Sequence, residues 1–196
     1  MPLPTFYHLS RKGHVLSEDE VRQQVADGLG YELRWEPAIG LIRVEIHPSH
    51  YQSTDQSVNL CLYDHHRRQV WSIRWSTAPD QGDGRELELR GITATCRPEE
   101  HDPKRVPEDE WRTLAMGTND GGFLFRYLNF RNGRGDDLSH KVPGHTLPFP
   151  PLGDVEAYLN YDYAAIEELI HQFPARLFPE ESPRKLPAIR AWVDDR

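Results

Sequence analysis

The chain has 196 residues, 37% of them hydrophobic and 28% charged, with a mean hydropathy of −0.72 and a formal net charge of −8. That length suits one large domain and can bury a core without a metal or disulfide staple. Five Trp, eight Tyr and seven Phe argue against a disordered chain, no run approaches the roughly 20 apolar residues of a membrane helix, and the acidic balance speaks against a free-standing DNA binder.

The acid excess is uneven. The first 98 residues hold 11 basic and 13 acidic side chains and the last 98 hold 12 and 18. Of the 23 basic residues 19 are Arg and four are Lys, a bias that base composition of a genome produces as readily as function does. The opening Met1-Pro2-Leu3-Pro4-Thr5-Phe6 has no charged stretch followed by an apolar run, so it does not read as a secretory signal. Cys61 and Cys96 sit in strand-like segments and are expected to be reduced core thiols of a cytoplasmic protein, with a single disulfide as the alternative.

In chain order, residues 5–9 predict a short strand. Ser17 with Glu20 three residues later is a capping box, which satisfies two amide donors at a helix start. Val21, Val25 and Leu29 continue one apolar stripe, and Gly28 and Gly30 supply a stop, so a helix is predicted over 17–28. Three alternating runs follow: Ile42, Val44, Ile46; Val58, Leu60, Leu62; and Trp71, Ile73, Trp75. Period-two alternation marks strands with one buried face. Asp64-His65-His66-Arg67-Arg68 reads as the hairpin turn between the second and third. Leu87 and Leu89 open a further strand that extends through Ile92 and Ala94. Residues 97–110 are a charged loop with three prolines. A strand at 113–116, a turn at 119–122 and a strand at 123–130 come next, and the Gly- and Pro-rich segment 131–152 reads as irregular. Ile166, Leu169, Ile170 and Phe173 have helical spacing, so 163–173 is predicted as an amphipathic helix that Pro174 ends. A short helix is expected around Ile189 and Trp192. The sum is a single α+β domain over 1–196, rich in antiparallel sheet, with amphipathic helices near the N- and C-terminal ends.

Complete catalytic motifs are missing from the sequence. His47 and His50, in His-Pro-Ser-His, and the adjacent His65 and His66 offer four imidazoles for zinc if the two segments meet. Neither pair has the Cys-x-x-Cys or His-Glu-x-x-His spacing that marks a zinc site, so solvated loop histidines are the default and no cofactor is expected. Asp80, Glu86 and Glu88 suggest a metal-dependent nuclease, but Arg90 stands where a lysine is wanted, and arginine stays protonated. No Gly-x-Ser-x-Gly elbow or Gly-x-x-x-x-Gly-Lys loop occurs. The remaining candidate is the aromatic run 123–130 with its arginines. Arg126, Tyr127, Arg131 and Arg134 could stack bases and track phosphates, and the competing reading is a core strand with a basic turn.

The order of several short motifs adds a family. Leu60-Cys61-Leu62-Tyr63-Asp64 is followed by Val70-Trp71, then Leu114-Ala115-Met116-Gly117-Thr118 and Gly122-Phe123. Gly133-Arg134-Gly135, Lys141-Val142-Pro143 and 155–162 (Val-Glu-Ala-Tyr-Leu-Asn-Tyr-Asp) complete the series. Over residues 40–175 the chain resembles the small accessory proteins encoded with some type III CRISPR systems. One departure is Met116, where a tryptophan is expected before Gly117. The resemblance implies a non-catalytic subunit within the effector ribonucleoprotein, contacting neighbouring protein and, through the assembly, guide or target RNA. An acidic subunit suits basic neighbours, because complementary charge steers association. Two other readings stand beside it. One is an immunity protein that plugs a basic toxin. The other is a hydrolase or nuclease built from scattered His, Asp and Glu. No membrane partner is expected.

Overall fold

The computed structural model describes residues 4–11, 13–48, 56–77, 86–96, 112–119, 122–129, 137–140, 146–164, 167–168 and 187–196. For 112–119, 122–129 and 137–140 the description is of strand pairing alone.

One antiparallel sheet organises the chain. Its strands are β1 (Thr5–His8), β2 (Val15–Leu16), β3 (Tyr31–Trp35), β4 (Gly40–His47), β5 (Ser57–Asp64) and β6 (Gln69–Ser76). They continue as β7 (Glu86–Cys96), β8 (Arg112–Asn119), β9 (Gly122–Asn129), β10 (Asp137–His140) and β11 (Thr146–Pro148). The order across the sheet is β10-β9-β8-β7-β6-β5-β4-β3-β1-β2. From β3 to β10 each strand lies beside its neighbour in sequence, a meander of hairpins. The long β7 is shared on one edge: Gly91–Cys96 pairs with β8, and Glu86–Glu88 pairs with β11. Segment 131–152, expected to be irregular, thus contains two short strands. Their ladders come from the neighbours β9 and β7, and three or four residues carry too little periodicity to show in the sequence.

Register lines the apolar positions up. Tyr31, Leu33 and Trp35 of β3 face Ile46, Val44 and Ile42 of β4. Those face Val58, Leu60 and Leu62 of β5, which face Trp75, Ile73 and Trp71 of β6. Ala94 and Ile92 of β7 face Trp71 and Ile73, and beyond a register shift between Arg74 and Trp75 Leu89 faces Trp75 and completes the face. All of these side chains are buried in one cluster. Strand β3 completes the alternation seen in its neighbours, with Glu32 and Arg34 on the opposite face.

Short elements cover the apolar face. Helix α1 (Glu18–Ala26) starts at Ser17, whose hydroxyl accepts from the Glu20 amide while the Glu20 carboxylate accepts from the Ser17 amide. Val21 is its buried anchor. The helix stops before Gly28, which takes the left-handed conformation (φ 70°) and donates to the Val25 carbonyl. Leu29, expected on the helix's apolar stripe, therefore lies beyond it and is 49% exposed. Two single turns, α2 (Glu156–Leu159) and α3 (Arg190–Val193), add Tyr158, Leu159, Trp192 and Val193 to the core. The Trp71 indole donates to the Pro187 carbonyl at 3.0 Å and the Trp192 indole to the Tyr63 carbonyl at 2.8 Å. Arg196 grips Glu156 with two bonds of 2.9 and 2.7 Å. Ile166, Leu169, Ile170 and Phe173 lie outside the described residues; of the helix predicted over 163–173, Ala164, Glu167 and Glu168 are helical, and the Glu167 amide donates to the Tyr163 carbonyl at 2.8 Å.

Gly40 opens β4 at φ 154°, and a β-carbon there would stand 1.9 Å from the Tyr63 carbonyl oxygen. The obstacle is backbone, so it cannot rotate away. Gly40→Ala should cost about 2–3 kcal/mol in urea unfolding; an unchanged midpoint would show that the two strands can separate there freely.

Candidate binding face

The polar side of the sheet is the other half of the alternation. β3 places Glu32 and Arg34 there, β4 places Arg43, Glu45 and His47, β5 places Asn59, Cys61 and Tyr63, and β6 places Ser72 and Arg74. Because every second residue of a strand shares a face, these side chains meet across strands rather than along the chain.

Glu32 is the centre. It is fully buried, and its two carboxylate oxygens accept separately from Arg34 and Arg43. Arg34 lies over the Tyr7 ring, 4.0 Å from its centroid. Arg43 reaches Glu45 at 2.8 Å and bonds Tyr63. Asn59 donates to Glu45 at 3.2 Å, and the His47 ring stands 3.8 Å from the same carboxylate. The chain of contacts runs from β1 to β5 without a gap.

The electrostatics follow from this pairing. Burial works against the charge on Arg43, but Glu32 and Glu45 outweigh it and hold the guanidinium more firmly protonated than usual. The neighbouring His47 ring, helped by Arg43 and Asn59, keeps Glu45 below its ordinary value against the opposing pull of burial. Burial pushes the Cys61 thiol up to about 11, so it stays a thiol at neutral pH and is a poor nucleophile. Its sulfur lies 3.9 Å from the Ser72 hydroxyl. Cys61 is thus a buried free thiol, as the sequence suggested, but it sits beneath the polar face and outside the apolar cluster. Register carries Cys61 to Ser72 and on to Thr93, three residues short of Cys96. Two strand spacings and three residues make about 14 Å, twice what a disulfide tolerates.

The sequence candidates separate. His47 closes β4 beside Ser57, the first residue of β5, whereas His65 follows Asp64, the last. Eight strand residues span about 24 Å, so His47 cannot share a metal ion with His65 or His66. His50 lies outside the described residues. Among the described residues no group of three or more His, Cys, Asp or Glu could hold a metal ion. Glu88 is bridged to Arg90 at 3.2 Å, and Asp80 lies outside the described residues.

Arg126 and Tyr127, consecutive on β9, occupy different register rows. Arg126 belongs to the row of Arg34, Arg43, Cys61, Ser72, Thr93 and Ala115. Tyr127 belongs to the row of Leu62, Trp71, Ala94 and Leu114. Arg131 and Arg134 lie outside the described residues, between Asn129 and Asp137. Asn129 pairs with Arg112, and Arg112 with Cys96, at the same end of the sheet as the turn that carries His65 and His66.

Sequence reasoning missed the Glu32–Arg34–Arg43 cluster. The signal was Tyr31-Glu32-Leu33-Arg34-Trp35, alternating apolar and charged residues. Among the described residues no helix is long and apolar enough to cross a membrane. No family model, curated protein or solved structure matches the chain.

Proposed function

We propose that the protein is a non-catalytic binding subunit of a larger assembly, and that this assembly is a type III CRISPR effector ribonucleoprotein. One observation carries the binding reading: Glu32, Arg34, Arg43, Glu45 and His47 hold one another across the polar face. A general acid or base needs a group free to trade its proton with a reactant. Carboxylates locked by arginines instead make a rigid, preorganised surface, which lowers the entropic cost of docking. The assembly is named by the sequence resemblance over residues 40–175.

Arg126, Arg131 and Arg134 form the contact surface, with Tyr127 on the same strand as Arg126. They are arginines clustered in the acidic half of the chain, and Arg gives planar, bidentate contacts to carboxylate and phosphate. RNA is reached through the assembly, and the protein is cytoplasmic.

The test is a tagged pull-down from the native host, with and without ribonuclease. Large effector subunits and a guide RNA should co-purify. Replacing Arg126, Arg131 and Arg134 together with Ala should weaken their capture at least about tenfold. Undiminished capture would remove the three arginines from the contact surface. A single stoichiometric basic partner without RNA would instead make the protein an immunity protein. A hydrolytic rate lost in His47→Ala or Asp80→Ala would make it an enzyme.

A further inference from the structure

The turn between β5 and β6 is built more firmly than a hairpin requires. Asp64 Oδ1 accepts from the amides of His66 and Arg68, both at 2.9 Å. Asp64 Oδ2 accepts from Arg68 Nε at 2.7 Å. The Asp64 amide donates to the Arg68 carbonyl, and the Arg67 amide donates to the Asp64 carbonyl. The only acidic residue of the turn is consumed in holding it.

The turn thereby displays His65, His66 and Arg67, all exposed. The two imidazole rings lie with centroids 3.8 Å apart. Arg67 has φ 60°, the only non-glycine residue with positive φ among the described residues. Glycine takes this conformation without steric cost, whereas a β-branchless arginine still strains against its own carbonyl. Among the described residues its side chain makes one outward contact, a 2.9 Å bridge to Glu36. Both partners of that bridge are more than half exposed, so a stronger anion displaces it easily. A strained backbone that keeps an exposed arginine points to a use for the arginine.

We infer that this turn is a contact point for single-stranded nucleic acid. The two imidazoles supply flat faces on which bases stack, and the Arg67 guanidinium meets the phosphate beside them. An acidic protein segment would use the charge but not the paired rings, which is why nucleic acid is the favoured occupant. The inference rests on the proposed function for its setting, since it adds a described nucleic-acid contact to a subunit of an RNA-containing assembly.

The experiment uses the full chain and fluorescence anisotropy with labelled oligouridylate and oligothymidylate of equal length. Polyglutamate serves as the competing polyanion. The wild-type chain should bind at least one oligonucleotide, more weakly as salt rises, and the better of the two shows whether the strand is RNA or DNA. His65→Ala with His66→Ala should weaken binding at least about fivefold. Arg67→Gly should also weaken it while raising the melting temperature, because glycine relieves the backbone. A turn with only a structural role would gain stability in Arg67→Gly and lose no affinity. Binding unchanged in both variants, no oligonucleotide binding by the wild type, or displacement by polyglutamate at equal charge would each overturn the inference. If the wild-type chain fails to bind oligonucleotide yet still captures the effector subunits, this inference falls alone. If it binds oligonucleotide but captures no assembly, the proposed assembly falls instead.

Discussion

Trp192→Ala should lower the unfolding free energy by about 3–5 kcal/mol, the range for emptying a fully buried tryptophan site. Trp192 is wholly buried in the cluster that seals the apolar face of the sheet. Its neighbours on the sheet side include strand residues fixed by hydrogen-bonded ladders on both edges, so they cannot collapse into the space left behind. In addition, the indole N–H satisfies the Tyr63 carbonyl, which lies where the β5–β6 register shifts between Leu62 and Tyr63. Trp192→Phe separates the two effects. It keeps most of the apolar volume but leaves that carbonyl without its donor, for a loss of about 1–3 kcal/mol. Urea unfolding of both variants measures the difference. Equal losses would show that the hydrogen bond dominates. A loss below about half a kilocalorie for Ala would mean that the residue is not part of the core.

Glu32→Gln should be nearly as damaging, about 3–5 kcal/mol, although it changes one atom. The glutamate is the counter-charge for Arg34 and Arg43, which both bind it. Neutralising it removes the shared, fully buried counter-charge of two arginines whose side chains are themselves only 29% and 28% exposed. Arg43 retains Glu45, but Arg34 then has only the Tyr7 ring among the partners described. Chemical denaturation again provides the measurement. A cost under about 1 kcal/mol would show that solvent reaches the cluster and screens it, as it does for exposed pairs. Removing all three charges in favour of well-packed apolar side chains is a different experiment, and such triads have proved replaceable without loss.

The sequence made much of the sheet legible. Ile42, Val44 and Ile46, then Val58, Leu60 and Leu62, then Trp71, Ile73 and Trp75 alternate cleanly, and each run is a strand with those residues buried. Alternation is readable because it is local. The capping box at Ser17 and Glu20 is readable for the same reason. Strand β3 carries the same alternation, but in only five residues directly behind Gly28 and Gly30. Strands β10 and β11 are of a different kind, because their pairing partners are supplied from elsewhere in the chain.

The polar face was much less legible. Nothing local to Glu32 announces Arg43, which is 11 residues away on the next strand. The contact exists because β3 and β4 pair with Arg34 opposite Arg43, and the register is a property of the assembled sheet. The histidines show the converse. His47 and His65 look like parts of one constellation in the sequence, yet a full strand length separates them. Distance along a strand is fixed by its rise per residue, so once β5 is extended the separation cannot be closed.

The ends of the strand order constrain how any partner can attach. β2 offers two residues and β10 four. An extended peptide that joins a sheet gains affinity from a row of main-chain hydrogen bonds, and so needs a long open edge as its template. Edges this short give little purchase for such strand addition, and natural sheets use the same device to avoid sticking to one another. Among the described residues, strand addition is therefore disfavoured at both ends of this strand order, and side chains on the polar face and at the turns are the surface a partner would meet instead.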